Sequence, residues 1–136
     1  MYETFDHTAD LGLRVRAADL PTLFAEAGCG LTSLIVEDIS TVKEKVKVEL
    51  TLPCEETEFL FFDWLNLILL RFENDRLLLS RFEVQMDETG IRSIGYGEPM
   101  DRTRHEPGHE VKAITYHGLR VEREGSGWLA EVIVDI

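Results

Sequence analysis

The stretch from Phe59 to Phe72 most restricts what this chain can become. Phe59, Leu60, Phe62, Trp64, Leu65, Leu67, Ile68, Leu69, Leu70 and Phe72 leave hardly any polar face, with Asp63 and Asn66 three apart on one side. Glu55 to Glu58 place negative charge where a helix N-terminus favours it, Thr57 offers a cap, and Asn74-Asp75 mark the end. A helix apolar nearly all round must be covered on more than one side. It is therefore expected between a sheet and another element, with Asp63 and Asn66 on an exposed strip or at a polar partner contact. It is no membrane span, because roughly 18 uninterrupted apolar residues are needed and Asn66 breaks the richest run.

The rest of the chain supplies that sheet. Leu11, Leu13 and Val15 alternate with Gly12, Arg14 and Arg16; Trp128, Ala130, Val132 and Val134 alternate with Leu129, Glu131 and Ile133. The first run reads as a strand with one buried face, and the second as a closing strand, tied into a sheet up to Asp135-Ile136. After the first strand, Asp19 caps a helix with Pro21 in its first turn, and Leu23, Phe24, Ala27, Leu31, Leu34 and Ile35 form its apolar stripe. Gly28 and Gly30 weaken that helix and imply tight packing against another backbone.

Glu37 to Thr41 reads as a turn, and Val42, Val46, Val48, Leu50 and Leu52 trace a strand that Pro53 stops. Leu77, Leu79, Phe82, Val84 and Met86 are extended, Asp87-Glu88-Thr89-Gly90 is a hairpin turn, and Ile91, Ile94 and Tyr96 return. Residues 97–108 form a long loop, the chain is strand-like from Val111 through Tyr116, and a last hairpin turns at Gly125-Ser126-Gly127. Strand, helix, strand, helix and then mostly strands predict an α+β fold, one domain over residues 1–136, with both helices packed on a largely antiparallel sheet.

The formal charge of -12 argues against gripping nucleic acid directly, since that affinity comes mainly from Lys and Arg on phosphates. A basic partner, a metal, or simple solubility suits an acidic chain better. With no basic-then-apolar leader at the start, the expectation is a soluble, cytoplasmic protein with no membrane role. Cys29 and Cys54 are too few for a disulfide framework; Cys29 reads as core packing and Cys54 as a turn residue.

Two regions concentrate chemistry. Asp6, His7 and Asp10 crowd the entrance to the first strand, and burying a carboxylate unpaired costs several kcal/mol. If the first and last strands end side by side, Asp10, Asp135 and the carboxylate of Ile136 form an acid cluster that demands a cation or a raised pKa. Oxygen ligands would favour calcium, magnesium or manganese over zinc. The second region is the long loop, with Asp101, Arg102, Arg104, His105 and His109, followed by Lys112 and His117 around the next strand. Long loops are often binding loops, although a solvated charged loop explains the same composition. There is no glycine-rich phosphate loop, no nucleophile turn and no paired-histidine zinc helix, so a helper of another molecule fits better than a free-standing enzyme.

Asp6-His7-Thr8-Ala9-Asp10, Asp63-Trp64-Leu65-Asn66, Gly97-Glu98 with Asp101 and Arg104-His105, Glu110 to His117, and the closing Asp135-Ile136 together resemble the archease family, in the same order along nearly the whole chain. The resemblance implies a strand-helix-strand-strand unit carrying an insertion. It also implies a protein that activates the RtcB-type tRNA-splicing RNA ligase, promoting its guanylylation and multiple turnover and broadening the nucleotides it accepts. It implies a divalent metal, calcium foremost, at Asp10, Asp135 and Ile136. Leu11 and Ile114 replace the commoner Val and alter no polar group. On this reading Asp6, His7, Asp101, Arg102, Arg104, His105, Lys112 and His117 are candidate partner contacts. Two alternatives stand beside it: a chaperone or binding module for tRNA-modifying enzymes such as methyltransferases, and a free-standing metal-dependent hydrolase using the same acids.

Overall fold

The computed structural model describes residues 1–136. Its elements are β1 (Tyr2–His7), β2 (Asp10–Ala17), α1 (Leu20–Ile35), a single 3-10 turn (Ile39–Thr41), β3 (Val46–Pro53), α2 (Thr57–Asp75), β4 (Leu77–Asp87), β5 (Gly90–Pro99), β6 (Ala113–Ile114), β7 (Arg120–Glu124) and β8 (Gly127–Asp135). The α+β class and the two helices are as the sequence predicts. The strands, however, divide into two antiparallel sheets, one ordered β1-β2-β8 with β6 and β7 both on the far side of β8, the other β3-β5-β4.

Helix α1 joins the sheets. Asp19 accepts the Thr22 N–H at 2.8 Å, Pro21 sits in the first turn, and the six expected stripe residues are all buried. A methyl at Gly28 would fall 2.6 Å from the Phe82 ring of β4, and one at Gly30 would fall 2.7 Å from Leu13 of β2. The glycines thus admit side chains from both sheets, not another backbone. On the β4 side, Thr32 Oγ1 donates to the Leu79 carbonyl at 2.6 Å and Cys29 Sγ to that of Ser80 at 3.3 Å, beside the irregularity between Leu79 and Arg81 where the β4–β5 register shifts. Burial pushes the Cys29 thiol up to about 11, so this cysteine is a structural thiol.

Helix α2 packs on α1 and on strands of both sheets, β3 and β4 of one and β6 and β7 of the other, so the expected cover on more than one side is found, with one strip left open. Leu60, Phe61, Trp64, Leu65, Ile68 and Leu69 are buried, and Trp64 Nε1 donates to the Phe24 carbonyl at 2.8 Å, bonding the two helices. Phe59 and Leu70 remain 47% and 51% exposed, so the near-continuous apolar run leaves an uncovered face. Thr57 begins the helix and Glu56 occupies the cap position without a side-chain bond. Residues 97–99 extend β5, and of the expected strand from Val111 to Tyr116 only Ala113–Ile114 pairs.

Phe61→Ala is expected to cost about 3–5 kcal/mol in denaturant unfolding. Phe59→Ala, on the uncovered face of the same helix, should stay within about 0.5 kcal/mol.

Candidate functional site

The N-terminal motif is the tip of a hairpin. β1, unforeseen from sequence, pairs with β2 from Tyr2↔Val15 to His7↔Asp10, leaving Thr8-Ala9 as a two-residue turn. Ala9 adopts a left-handed φ of 64°, a conformation residues with a Cβ seldom take outside sites that require it. β2 pairs in turn with β8, up to Leu11↔Val134. Asp10 and Asp135 are the next residues outward on those neighbouring strands, so their side chains share one face. Asp135 also lies opposite Ala113, and its carbonyl accepts the Lys112 N–H at 2.8 Å. The sequence expectation that the first and last strands end together is therefore met.

Charge balance along these strands changes abruptly at the tip. Arg14 is held by Glu3 and Glu131, Arg16 by Glu3 and Glu124, and Arg120 by Glu122 and Glu131. No Lys or Arg pairs with Asp10 or Asp135. Asp10 has only His7, whose Nδ1 stands 3.9 Å from its Oδ2, beyond hydrogen-bonding distance. That nitrogen is shielded from solvent and has no hydrogen-bond partner. The His7 ring in turn lies 5.3 Å from that of His117, centroid to centroid. No three His, Cys, Asp or Glu side chains are grouped so as to hold a metal ion between them. The tip therefore offers two uncompensated carboxylates and an unsatisfied imidazole nitrogen, with the Ile136 main chain beside them.

An aromatic patch adjoins the tip. Tyr116, next to His117, stacks on Phe62 at 3.9 Å and meets Phe59 edge-on at 5.9 Å, and Tyr116 is half exposed. Asp63 is near enough to Glu55 to raise the Glu55 carboxyl above its usual range, through a shared hydrogen bond first, then desolvation and repulsion. Asn66 Nδ2 donates to the Phe62 carbonyl at 3.1 Å. The polar pair of α2 therefore borders an acidic and aromatic surface.

The long loop is divided between wall and surface. Glu98, 2% exposed, accepts the Lys43 N–H at 2.7 Å, bonds Arg104, and lies 3.0 Å from His105 Nε2. His105 Nδ1 accepts the Asp101 N–H at 2.8 Å, which leaves the Nε2 hydrogen for Glu98. His105 is fully buried, so its expected partner contact is corrected to a structural role, and the Arg104 guanidinium is likewise committed to Glu98. Asp101 is exposed and accepts the Thr103 N–H and hydroxyl. Arg102, Lys112 and His117 are exposed, as is Asp6 on β1. Glu98 enters the sequence reading only within the motifs of the resemblance, with no role assigned to it. A lone acid two residues before Met100, at the end of an apolar strand, gave no periodic signal.

Desolvation, the largest single effect on Glu98, pushes its carboxyl up, but Arg104, the Lys43 N–H and His105 together outweigh it and hold the group at about 2, against an ordinary 4.5. A depressed carboxylate stabilises the fold above its unfolded value and loses that contribution as pH falls through its folded value. Amide hydrogen exchange in residues 100–109 should accelerate as pH is lowered from 4.5 toward 2, after correction for intrinsic rates. In Glu98→Gln that pH step should vanish, with the loop already loosened at neutral pH by about 3 kcal/mol.

The sequence profile of the Archease protein family matches residues 2–136. The protein archease of Methanopyrus kandleri is 40% identical over 99% of both chains, and that of Pyrococcus furiosus is 32% identical over 99% of this chain and 98% of its own. The solution structure of Methanobacterium thermoautotrophicum protein 1598 superposes with a TM-score of 0.85 at 30% identity, over 99% of this chain and 98% of the other. The crystal structure of a Thermotoga maritima protein described as an archease and possible chaperone shares the fold, with a TM-score of 0.66 at 23% identity over 100% of this chain and 98% of the other. No helix is long and apolar enough to cross a membrane. The chain belongs to the archease family.

Proposed function

We propose that this protein is an accessory activator of an RtcB-type RNA ligase, acting through a divalent-metal tip built on Asp10, Asp135 and the Ile136 main-chain oxygen. The observation that carries the reading is the pair of carboxylates at the adjoining ends of β2 and β8, neither with a cationic Lys or Arg partner, beside the unsatisfied His7 nitrogen. Calcium takes 6–8 oxygen ligands. Two carboxylates and a main-chain oxygen leave such an ion open to groups from elsewhere, and an open site suits a tip that works against another protein. When bound, the ion supplies positive charge for nucleotidyl transfer, a reaction governed largely by positioning and charge neutralisation.

The chain's own residues account for the rest. The β1–β2 hairpin presents Asp10 at its end, and β8, paired between β2 and β6, fixes Asp135 beside it. The half-exposed Phe59 and Tyr116, with Glu55 and Asp63 nearby, form an apolar and acidic face next to the tip, suited to a basic protein surface. Calcium is the first choice of ion, with magnesium and manganese admitted by the same hard oxygen set. A chaperone role toward tRNA-modifying enzymes would use the same face, and the word chaperone in the description of the Thermotoga maritima protein keeps that reading in view.

The test is multiple-turnover joining of tRNA halves by an RtcB-type ligase with GTP and manganese, with this protein substoichiometric. A rise in turnovers with faster guanylylation is expected, while an unchanged rate would sink the proposal. Asp10→Ala and Asp135→Ala should each reduce the activation by about 10²-fold, the scale of a lost charge-stabilising group. Circular dichroism should remain that of the parent protein. Calcium titration of the isolated protein should show one site that either substitution weakens at least about tenfold.

A further inference from the structure

In a chain with 14 Lys and Arg against 26 Asp and Glu, an unpaired cation is unexpected, and most of the cations are indeed held by carboxylates. Lys43, Lys47, Arg76, Arg102, Lys112 and Arg123 are in no ion pair, and Arg76, Arg102 and Lys112 line one cavity of about 690 Å³. Its size is that of a small-molecule site, roughly 300–1,000 Å³. Glu73 and Glu110 also reach the cavity, yet neither pairs with the three cations. Ile35, Phe72, Met100 and Val111 form its apolar lining, and Ile35 and Val111 are buried.

The walls are held by main-chain bonds. Arg76 ends α2 in the left-handed conformation, φ 54°, donating its N–H to Phe72 at 2.8 Å and accepting that of Met100 at 2.7 Å. Its guanidinium lies over the Phe72 ring, 5.2 Å from the centroid. Opposite, the N–H groups of Gly108 and His109 donate to the Ile35 and Leu34 carbonyls at 2.8 and 2.7 Å. A Cβ at Gly108 would stand 2.6 Å from the Leu34 carbonyl oxygen, so the loop can approach the end of α1 only with glycine there. Lys112 is anchored by its bond to Asp135.

We propose that this cavity binds a nucleotide, its phosphates on Arg76, Arg102 and Lys112 and its base against the apolar lining. An anion meets repulsion over most of a surface whose net charge is -12. Three cations in no ion pair, gathered at one concavity, give it a place where charge-assisted bonds outweigh that repulsion. An apolar floor beneath them fits a flat ring better than a bare inorganic anion. The phosphate chemistry has two sources, a free nucleotide or the terminal nucleotide of an RNA strand. Binding is read on the isolated protein, so the proposal stands or falls separately from ligase activation.

The experiment is an amide-shift titration of the full ¹⁵N-labelled chain in metal-free buffer with ATP, inorganic triphosphate and adenosine. Saturable shifts at Arg76, Met100, Arg102, His109 and Lys112 are expected with ATP, at an affinity about tenfold above that for triphosphate or adenosine. Arg102→Gln and Lys112→Gln, both at exposed positions, should each weaken ATP at least about fivefold. The dispersion of the spectrum reports that each variant is folded. A 5′-phosphorylated oligoribonucleotide distinguishes the sources: shifts at the same amides assign the cavity to an RNA end, and their absence assigns it to a free nucleotide, both within the proposal. No saturable shift with ATP at these amides, undiminished affinity in both variants, or equal affinity for triphosphate and ATP would overturn it.

Discussion

One helix has to close two separate sheets, and the rest of the architecture depends on its doing so. Neither sheet is completed by the other's hydrogen bonds; α1 carries Leu13 of the first against Gly30 and Phe82 of the second against Gly28. A methyl at either position would meet its partner below 3 Å, with little room to yield in a close-packed core. The helix also supplies polar partners, since Thr32 and Cys29 donate to carbonyls at the irregular point of β4. Side-chain packing on both sides and hydrogen bonds on one give the two sheets a single continuous core.

The loop between β5 and β6 crosses from one sheet to the other, and it is fastened at three points of different chemistry. Glu98 holds its beginning through Arg104 and His105, main-chain bonds from Gly108 and His109 hold its middle against the end of α1, and Lys112 holds its close against Asp135. The first is a buried charge, costly unless every lone pair is answered, and here a main-chain N–H, a guanidinium and an imidazole answer it. Such a loop is a wall more than a mobile strap. Its composition, rich in Arg, His, Pro and Gly, reads equally well as a solvated surface.

Much of the fold was legible because its cues are local and periodic. The Asp19 cap, the stripe of α1, the turn at Asp87 to Gly90 and the last hairpin all rest on residues within a few positions of each other. The failures share a cause as well. β1 carries Glu3, Thr4 and Asp6 on an edge strand and has no alternation to find, so the hairpin at Thr8-Ala9, lacking glycine or asparagine, passed as a polar cluster. The single expected sheet became two because strand order is set by long-range packing that no window of sequence contains. His105 looked like a surface residue among charged neighbours, and only the fold brings Glu98 to its ring. Asp10 beside Asp135 was legible because each stands at the end of a strongly apolar strand, and one pairing places both.

The two charged regions of the molecule are governed by opposite imbalances. Both arginines of β2, and Arg120 of β7, are matched by glutamates, so the middle of the first sheet's outer face is close to charge-balanced. At its end Asp10 and Asp135 break that rule with excess negative charge, while Arg76, Arg102 and Lys112 break it with uncommitted positive charge. Lys112 joins the regions, because the residue that lines the cavity is bonded through its main chain to the carbonyl of Asp135. On the proposed reading, a cation at one and phosphates at the other would lie at the two ends of a single main-chain hydrogen bond. Placed so, the two would act together on one nucleotide, since positioning of metal and phosphate is most of what nucleotidyl transfer requires.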